Sequence, residues 1–319
     1  GQFNPVNGQS KDIAKSLTYT QVFSTWLMKA AKKNVHLCAI TPAMSDGSGL
    51  NEFAKKYPAR YYDVGIAEQH ALTFAAGLAL SGIKPVIAIY STFLQRAYDQ
   101  LIHDIAIQNI PMLFAIDRAG LVGADGATHS GNFDISFMRC IPNLILMAPS
   151  NESECFEMLS FGYEYNGICA VRYPRGQSPN NTIHQLKDPI RLGCANKVRT
   201  GKKVAILAFG PIIETCREVA DEIDASLIDM RFIKPIDKKM IKQISKDHEL
   251  LVSVEENAVN GGAGSAVLEV ISESNIACKT LVIGIPDKFF EHASQQEVLK
   301  ACGLDKQSIV RKIVKQLNG

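Results

Sequence analysis

The sequence predicts an α/β fold in two units, each a sheet of mostly parallel strands flanked by helices. Strand-like and helix-like segments alternate along the chain, which is typical of parallel sheets covered on both faces. The 319 residues also exceed what one core usually serves. This periodicity is lost at residues 176–201, which are rich in Pro, Asn and Gly, so the division between the units falls there.

The first unit follows from its elements in order. The helix SLTYTQVFSTWLMKAAKK leads to the strand VHLCAITP, and the helix NEFAKKY precedes the strand RYYDVGI. Next come the helix AEQHALTFAAGLAL, the strand KPVIAIYST, the helix FLQRAYDQLIHDIAIQ and the strand PMLFAIDRAG. After the Gly-rich loop GLVGADGATHSGNFD, the strand LILMAPS, a helix capped near Ser150 and Asn151, and the strand ICAVRYP complete the unit.

The second unit is smaller. Its strands are KVAILAFG, SLIDMRF, ELLVSVEEN and LVIGIP, separated by a helix to about Glu222, a helix after Pro235 and a helix from the GGAG turn, with helical C-terminal residues. We expect a polar N-terminal tail at residues 1–11, a first α/β domain at 12–185, a linker at 186–201 and a second α/β domain at 202–319.

Composition excludes several classes of protein. With 46% apolar and 21% charged residues, and 34 basic against 32 acidic positions, the chain is neither disordered nor built to coat nucleic acid. The eight cysteines lack CxxC or zinc spacing and are expected to be buried thiols of a reducing compartment. No apolar run approaches the roughly 20 residues that cross a bilayer. We expect a cytoplasmic protein without membrane or nucleic-acid partners.

Ligand chemistry is expected in loops at the carboxyl ends of strands, where open α/β sheets bind ligands. In DVGIAEQHA, Glu68 opens a helix whose next turns are almost entirely apolar, so its carboxyl is expected to be partly buried. Either it is an acid favoured by the helix dipole, or it shares a proton with a ligand nitrogen. His70 is expected to be a packed core histidine.

The second such loop, YSTFLQRAYDQ, brings Tyr90, Phe93 and Arg96 to one strand-to-helix junction. A ring beside a guanidinium suits a flat heterocycle or a phosphate. In the alternative, Phe93 belongs to the core and Arg96 pairs with Asp99 or Asp104 on its own helix.

The third and fourth loops add polar groups. Asp117 and Arg118 end a strand, and the Gly-rich loop after them carries groups that bind, donate and accept protons, namely Asp125, Gly126, Thr128 and His129. In RYPRG, Arg172 and Arg175 flank a strand end and suit phosphate capture, or else are surface arginines that pair with acids.

These loops, with MRFIKP and VEENAVNGGAGS, resemble the middle and C-terminal domains of the 1-deoxy-D-xylulose-5-phosphate synthase family, in the transketolase-like group of thiamine diphosphate enzymes. The likeness runs from about Ser16 to the end of the chain. It implies a pyrimidine-binding transketolase-like domain followed by a transketolase C-terminal domain. It also implies condensation of pyruvate with D-glyceraldehyde 3-phosphate to 1-deoxy-D-xylulose 5-phosphate and CO₂, for isoprenoid, thiamine and pyridoxol biosynthesis.

The resemblance assigns roles to the motif residues. Glu68 would hydrogen-bond N1′ of the aminopyrimidine ring and activate the cofactor, with Phe93 stacked on the ring, Arg96 beside it and Ile66 holding the cofactor bent. The acceptor phosphate would meet Tyr90, Arg118 and Arg175, while Asp125 and His129 would handle hydroxyl groups and proton transfers.

The family's N-terminal domain, which carries the diphosphate and Mg²⁺ site, has no counterpart in the sequence. ADG followed by Asn151 resembles the GDG…N signature of such sites, but Ala124 replaces the first glycine and Asn151 is better explained at a helix start. No metal ligand is therefore expected in this chain. Because it also begins at Gly1, we expect a C-terminal fragment, or one chain of a clipped enzyme, that is inactive alone. Its expected partner is the N-terminal diphosphate-binding domain of the same enzyme, and the resemblance also implies a homodimer.

Two alternatives stay open. The chain could be the β-subunit of a 2-oxo acid dehydrogenase, which has only these two domains, although the phosphate-type loops suit a phosphorylated acceptor better. It could also be a non-catalytic module. Glu255, Glu256 and the NGGAGS turn are expected to be structural, and His292 could approach the active site in a dimer.

Overall fold

The structure, a computed structural model, describes residue 7 and residues 17–318. Apart from residue 7, the tail predicted at residues 1–11 lies outside the described residues. No helix among the described residues is long and apolar enough to span a membrane.

The first sheet has seven strands in the order β10-β5-β6-β4-β3-β1-β2. Its strands are β1 (Leu37–Thr41), β2 (Tyr61–Asp63), β3 (Lys84–Tyr90), β4 (Met112–Asp117), β5 (Leu144–Met147), β6 (Ile168–Arg172) and β10 (Phe232–Lys234). All neighbours pair in parallel except β10, which is antiparallel to β5. The carboxyl ends of β6, β4, β3, β1 and β2 therefore lie side by side along one edge of the sheet.

Helices cover both faces of this sheet. Nearly every residue of its central strands is therefore buried. They are α1 (Tyr19–Lys33), α2 (Asn51–Lys56), α3 (Glu68–Leu80), α6 (Asp134–Met138) and α7 (Glu152–Glu164). The helix predicted at residues 93–108 is instead a series of short turns, α4 (Ser91–Leu94), a 3₁₀ turn, α5 (Tyr98–Gln100) and a π-helical stretch (Leu101–Ala106). Such irregular helices are common beside functional sites.

The second sheet has five strands in the order β12-β11-β8-β9-β7. They are β7 (Asn196–Arg199), β8 (Lys202–Phe209), β9 (Ala225–Asp229), β11 (Leu250–Ala258) and β12 (Lys279–Ile285), with β7 antiparallel and the others parallel. The helices around it are α8 (Ile213–Ile223), α9 (Lys238–Asp247), α10 (Ala263–Glu273), α11 (Gln295–Cys302) and α12 (Lys306–Asn318). One hydrophobic cluster continues from the α3 side of the first sheet into this unit, so the two units share a core.

Two elements differ from the sequence prediction. SLIDMRF was predicted as one strand, but β9 ends at Asp229, Arg231 adopts a left-handed backbone with φ of 55°, and β10 crosses to the first sheet. Strand β7 lies within residues 186–201, the predicted linker. Its sequence, NKVR, pairs with β9 at the sheet edge and lacks the apolar run that would reveal a strand.

The thiols only partly match the expectation that all of them are buried. Five are buried, but Cys140 and Cys194 are exposed and Cys278 is half-buried. These three cysteines lie in turns and loops outside the helices and strands, where their side chains do not pack in a core.

A buried arginine, paired with an acid of the first unit, joins the two units. Arg172, at the end of β6, donates through Nε to Oδ2 of Asp134 at 2.7 Å and through Nη2 to Oδ1 at 3.1 Å. The same Nη2 donates to the carbonyl oxygen of Glu256 in β11, also at 3.1 Å. Arg172 is thus buried and not available to a phosphate. It pairs with an acid, as the alternative expected, but in the interior and not at the surface. A guanidinium with this many acceptors is stable in the interior.

We predict that Asp134→Ala lowers the free energy of unfolding by about 3–5 kcal/mol, because it leaves the Arg172 guanidinium buried without its anion. Urea denaturation followed by circular dichroism measures the loss. Glu273→Ala is the matched control, since it breaks the exposed Lys238–Glu273 pair and should leave the transition nearly unchanged. Equal, small effects of the two substitutions would contradict this account of the junction.

Candidate active site

Glu68 lies where the sequence predicted, at the first residue of α3 just beyond the carboxyl end of β2. Its side chain is buried with 4% exposure, because small residues such as Ala71 and Ala75 let the helix pack closely on the sheet. Ile66, in the loop before the helix, is 81% exposed. His70 is exposed and stacks on Phe74 with ring centroids 5.7 Å apart, so the expectation of a core histidine is wrong.

The Glu68 carboxylate is held by an arginine from the neighbouring loop. Arg96 Nη1 donates to Glu68 Oε1 at 2.6 Å. The predicted alternative, in which Arg96 pairs with an aspartate of its own helix, is therefore wrong, since Asp99 pairs with His103 and Asp104 accepts from Thr73. Glu68 Oε2 accepts no hydrogen bond from any other described residue. One oxygen is thus fixed in position and the other is free to meet a ligand.

Three rings follow Arg96 along the edge of the sheet. The Arg96 guanidinium carbon lies 5.0 Å from the centroid of the Phe93 ring. Phe93 stacks on Tyr90 with centroids 5.5 Å apart and an interplanar angle of 9°. The His129 ring meets Phe93 edge-on, also at 5.5 Å. The predicted Tyr90, Phe93 and Arg96 grouping is therefore real, and it extends to the Gly-rich loop through His129.

Tyr90 connects this row to Arg118, whose guanidinium carbon lies 4.0 Å from the Tyr90 ring centroid. Arg118 Nη1 donates to the carbonyl oxygen of Gly47 at 2.6 Å. Burial raises the pKa of Tyr90 to about 12, although the Arg118 charge opposes the shift. The hydroxyl is therefore protonated at neutral pH and can donate to an anion.

The Gly-rich loop is closed at its base by paired hydrogen bonds. Gly120 and Gly131 exchange N–H···O bonds, both 2.8 Å long. A methyl group on Gly131 would lie 2.3 Å from the Arg118 carbonyl oxygen, so only glycine fits there. Within the loop, Asp125 Oδ2 lies 3.0 Å from Arg175 Nε. The resemblance assigned Asp125 to hydroxyl groups and Arg175 to the phosphate, and the structure pairs these two side chains with each other.

The second unit packs against this loop. Glu256 Oε2 accepts from the Leu121 amide at 3.3 Å, and burial raises the pKa of Glu256. His292 of the same chain packs on Gly126, where an added methyl group would lie 3.3 Å from the histidine Cβ. His292 therefore lies beside the loop within one chain, and its approach to the site in a dimer stays a prediction.

The NGGAGS turn has a structural role, as predicted. Glu255 accepts from the amides of Ala263 and Gly264, each at 2.7 Å, and so takes the free N–H groups at the start of α10. Burial outweighs these hydrogen bonds and raises the pKa of Glu255 to about 7.

Asn151 also behaves as predicted. Its side chain caps α7 by accepting from the amides of Ser153 and Glu154 at 3.0 Å.

In the described part of the chain, no group of three or more His, Cys, Asp or Glu side chains could hold a metal ion.

Sequence reasoning missed one loop, PAMSDGSG at residues 42–49, which follows β1. It meets the same criterion as the other four loops, a position at the carboxyl end of a strand, and it is also polar and contains two glycines. Because β1 lies between β3 and β2 in the sheet, this loop enters the site and supplies Gly47.

The fold defines a class of protein: a two-unit α/β chain whose first sheet carries, along one edge, a buried acid paired with an arginine and a row of rings and a second arginine beside them. Family models agree. The model described as transketolase, pyrimidine binding domain, matches residues 15–180, and the model described as transketolase, C-terminal domain, matches residues 193–309. The chain belongs to the transketolase family, and the predicted fold class is confirmed.

Within the family, the resemblance inferred from the motifs is also confirmed. The chain is 55% identical over 317 residues to the 1-deoxy-D-xylulose-5-phosphate synthase of Methylobacillus flagellatus, covering 99% of this chain and 52% of that protein. Identity to the synthase of Nitrosomonas europaea is 52% over 313 residues, covering 98% of this chain and 51% of the relative. The chain thus spans about half the length of the curated relatives it matches.

Two solved structures share the fold. A structure described as split gene transketolase, inactive beta4 tetramer, superposes with a TM-score of 0.82 at 25% identity, covering 95% of this chain and 99% of that one. Transketolase from Campylobacter jejuni superposes with a TM-score of 0.79 at 18% identity, covering 96% of this chain and 48% of that one.

We predict that Gly47→Ala destabilises the protein by roughly 1–3 kcal/mol, because the new methyl group would lie 1.9 Å from the Tyr90 hydroxyl oxygen. Gly77→Ala is the control: it lies in α3 with no atom within 4 Å of its added methyl group and should stabilise by roughly 0.5–1 kcal/mol. Thermal unfolding of both variants measures the difference. Equal stability would show that Tyr90 is not held against this loop.

Proposed function

We propose that the complete enzyme to which this chain belongs condenses pyruvate with D-glyceraldehyde 3-phosphate to give 1-deoxy-D-xylulose 5-phosphate and CO₂. The observation that carries the proposal is the buried Glu68 carboxylate, fixed by Arg96 beside the Phe93 ring. The names of the relatives support it, with 55% and 52% identity over nearly the whole chain. The product would feed isoprenoid, thiamine and pyridoxol biosynthesis.

The residues present fit the aminopyrimidine end of thiamine diphosphate. Phe93 offers a ring to stack on, Arg96 lies beside it, and the exposed Ile66 provides an apolar contact in the loop before α3. Glu68 Oε2 is free to share a proton with a ring nitrogen, since Arg96 engages only Oε1. When bound, the cofactor supplies the nucleophilic carbon that decarboxylation and carbon–carbon bond formation require.

Glu68 contributes by proton sharing at one defined atom. Because Arg96 holds Oε1 at 2.6 Å, the carboxylate cannot rotate freely and Oε2 remains available to a ligand. Burial excludes water that would compete for the ring nitrogen. The pair therefore orients the cofactor ring and tunes its protonation, which is the general acid–base role of this residue.

The acceptor substrate would be held by the groups beyond Phe93. Tyr90 can donate from its hydroxyl, and Arg118 and Arg175 bring two positive charges to a phosphate. Asp125 and His129 would bind hydroxyl groups and move protons, since each lies in the same loop beside these anchors. Asp125 would release Arg175 when the phosphate takes its place.

The diphosphate and Mg²⁺ would be held outside this chain, in a diphosphate-binding domain of the same enzyme. This chain alone would then be inactive, and the solved split transketolase chain of similar length is described as an inactive tetramer. We further propose that the enzyme is a homodimer in the cytoplasm. Its domains in this chain would be a pyrimidine-binding domain at residues 12–185, a linker at 186–201 that contains β7, and a C-terminal domain at 202–319.

We predict that Glu68→Gln in the complete enzyme lowers kcat by at least about 100-fold, because the amide cannot share a proton with the ring nitrogen. Gln keeps the size of the side chain and an oxygen for Arg96, so the melting temperature should change little. Product formation from pyruvate and D-glyceraldehyde 3-phosphate measures the effect.

The matched control is Glu52→Gln, which changes an exposed glutamate in the first turn of α2 and should leave kcat unchanged. A Glu68→Gln enzyme as active as this control would contradict the role of the carboxylate. Lack of product from the unaltered enzyme would contradict the proposed reaction itself.

A further inference from the structure

We propose that Asp117 is a positioning residue that presents Arg118 to the phosphate of the acceptor substrate. The inference rests on the proposed function and names a group that does not touch the substrate. It concerns the carboxyl end of β4, where Asp117 is the last residue of the strand and is fully buried. A buried carboxylate at the carboxyl edge of a sheet requires partners.

Asp117 engages Arg118 at two points. Oδ1 accepts from the Arg118 backbone amide at 2.7 Å, and Oδ2 lies 3.1 Å from Arg118 Nη1. Arg118 has a left-handed backbone with φ of 57°, which is unfavourable for a side chain of this size. The hydrogen bond to its amide stabilises that conformation, and the conformation turns the side chain back over the Tyr90 ring.

These contacts leave the remaining donors of Arg118 unused. Nη1 is taken by Asp117 and by the Gly47 carbonyl oxygen. Nε is buried without a hydrogen-bond partner among the described residues, and Nη2 donates to none of them. Nε and Nη2 are therefore both without a protein partner among the described residues, and these two nitrogens form the fork with which a guanidinium binds two phosphate oxygens. A buried donor without a partner is unfavourable, so a ligand that accepts from it gains affinity.

A shell of neighbours holds Asp117 in turn. Thr20 Oγ1, from α1, donates to Asp117 Oδ2 at 3.0 Å. Thr20 also packs on Gly49, where an added methyl group would lie 2.9 Å from the Thr20 carbonyl oxygen. Helix α1, the loop after β1 and the end of β4 thus fix one carboxylate. Burial raises the pKa of Asp117 to about 6, with Arg118 and Thr20 opposing the shift, so the group is mostly ionised at neutral pH.

The two phosphate arginines then differ in kind. Arg118 is 13% exposed and fixed by the scaffold, whereas the Arg175 side chain is 43% exposed and pairs with Asp125. We expect Arg118 to set the place of the phosphate and Arg175 to close on it. Loss of the Asp117 support should therefore weaken recognition of the phosphate and leave the rest of the reaction intact.

The test is steady-state kinetics of Asp117→Asn in the complete enzyme with two acceptors, D-glyceraldehyde 3-phosphate and unphosphorylated D-glyceraldehyde. Asn offers a single acceptor oxygen, so either the Arg118 amide or its guanidinium loses its partner. We expect KM for the phosphorylated acceptor to rise at least about tenfold, as for loss of a charge-assisted hydrogen bond. KM for pyruvate and kcat/KM for D-glyceraldehyde should change less than twofold.

Thr20→Val is the second variant, which removes the hydroxyl on the other side of Asp117 without altering a charge. It should raise KM for the phosphorylated acceptor in the same selective way, by a smaller factor. Thr25→Val, on an exposed position of the same helix, is its matched control and should behave as the unaltered enzyme. The Thr20 variant keeps the inference testable if Asp117→Asn does not fold.

Equal losses with both acceptors would overturn the inference, since they indicate a general structural role. An unchanged or lower KM for the phosphorylated acceptor would overturn it too, because Asp117 would then not support phosphate binding. These outcomes differ from failure of the proposed function, in which the unaltered enzyme forms no product from pyruvate and either acceptor.

Discussion

The ion pair between Arg172 and Asp134 is the contact on which the arrangement of the site depends. Arg172 ends β6, Asp134 begins α6, and the same guanidinium reaches the Glu256 carbonyl oxygen in the second sheet. The Gly-rich loop runs between β4 and α6, so this pair fixes the end of the loop and the unit that packs on it. Arg172, Asp134 and Glu256 are all buried, so a geometry that breaks the ion pair would leave an unpaired charge in the interior. This cost favours the one geometry in which every contact is made.

The edge of the first sheet is then an ordered series of charges and rings. Each arginine of the proposed site forms an ion pair with a different acid: Arg96 with Glu68, Arg118 with Asp117, and Arg175 with Asp125. The rings of Phe93 and Tyr90 separate the first pair from the other two. This separation suits a ligand set in which a flat heterocycle and a phosphate occupy neighbouring places.

Most of the fold could be predicted because parallel strands buried on both faces form apolar runs, and helices of amphipathic period lie between them. The position of β10 in the first sheet could not be predicted, since the chain changes direction at the left-handed backbone of Arg231. Among the site residues, Glu68 was visible as an acid within an apolar helix start. The burial of Arg172 was not visible, because its partners Asp134 and Glu256 are distant in sequence. The loop at residues 42–49 was missed because chain order does not reveal that β1 lies between β3 and β2.

We propose that this chain holds the pyrimidine and phosphate sides of an active site whose diphosphate side lies in another domain. Formation of 1-deoxy-D-xylulose 5-phosphate from pyruvate and D-glyceraldehyde 3-phosphate, with thiamine diphosphate and Mg²⁺ present, tests it most directly when the chain is assayed with and without the diphosphate-binding domain of the enzyme. We predict no steady product from the chain alone and product when the folded domain is added. Steady product from the chain alone, or none from a stable complex of the two, would contradict the claim.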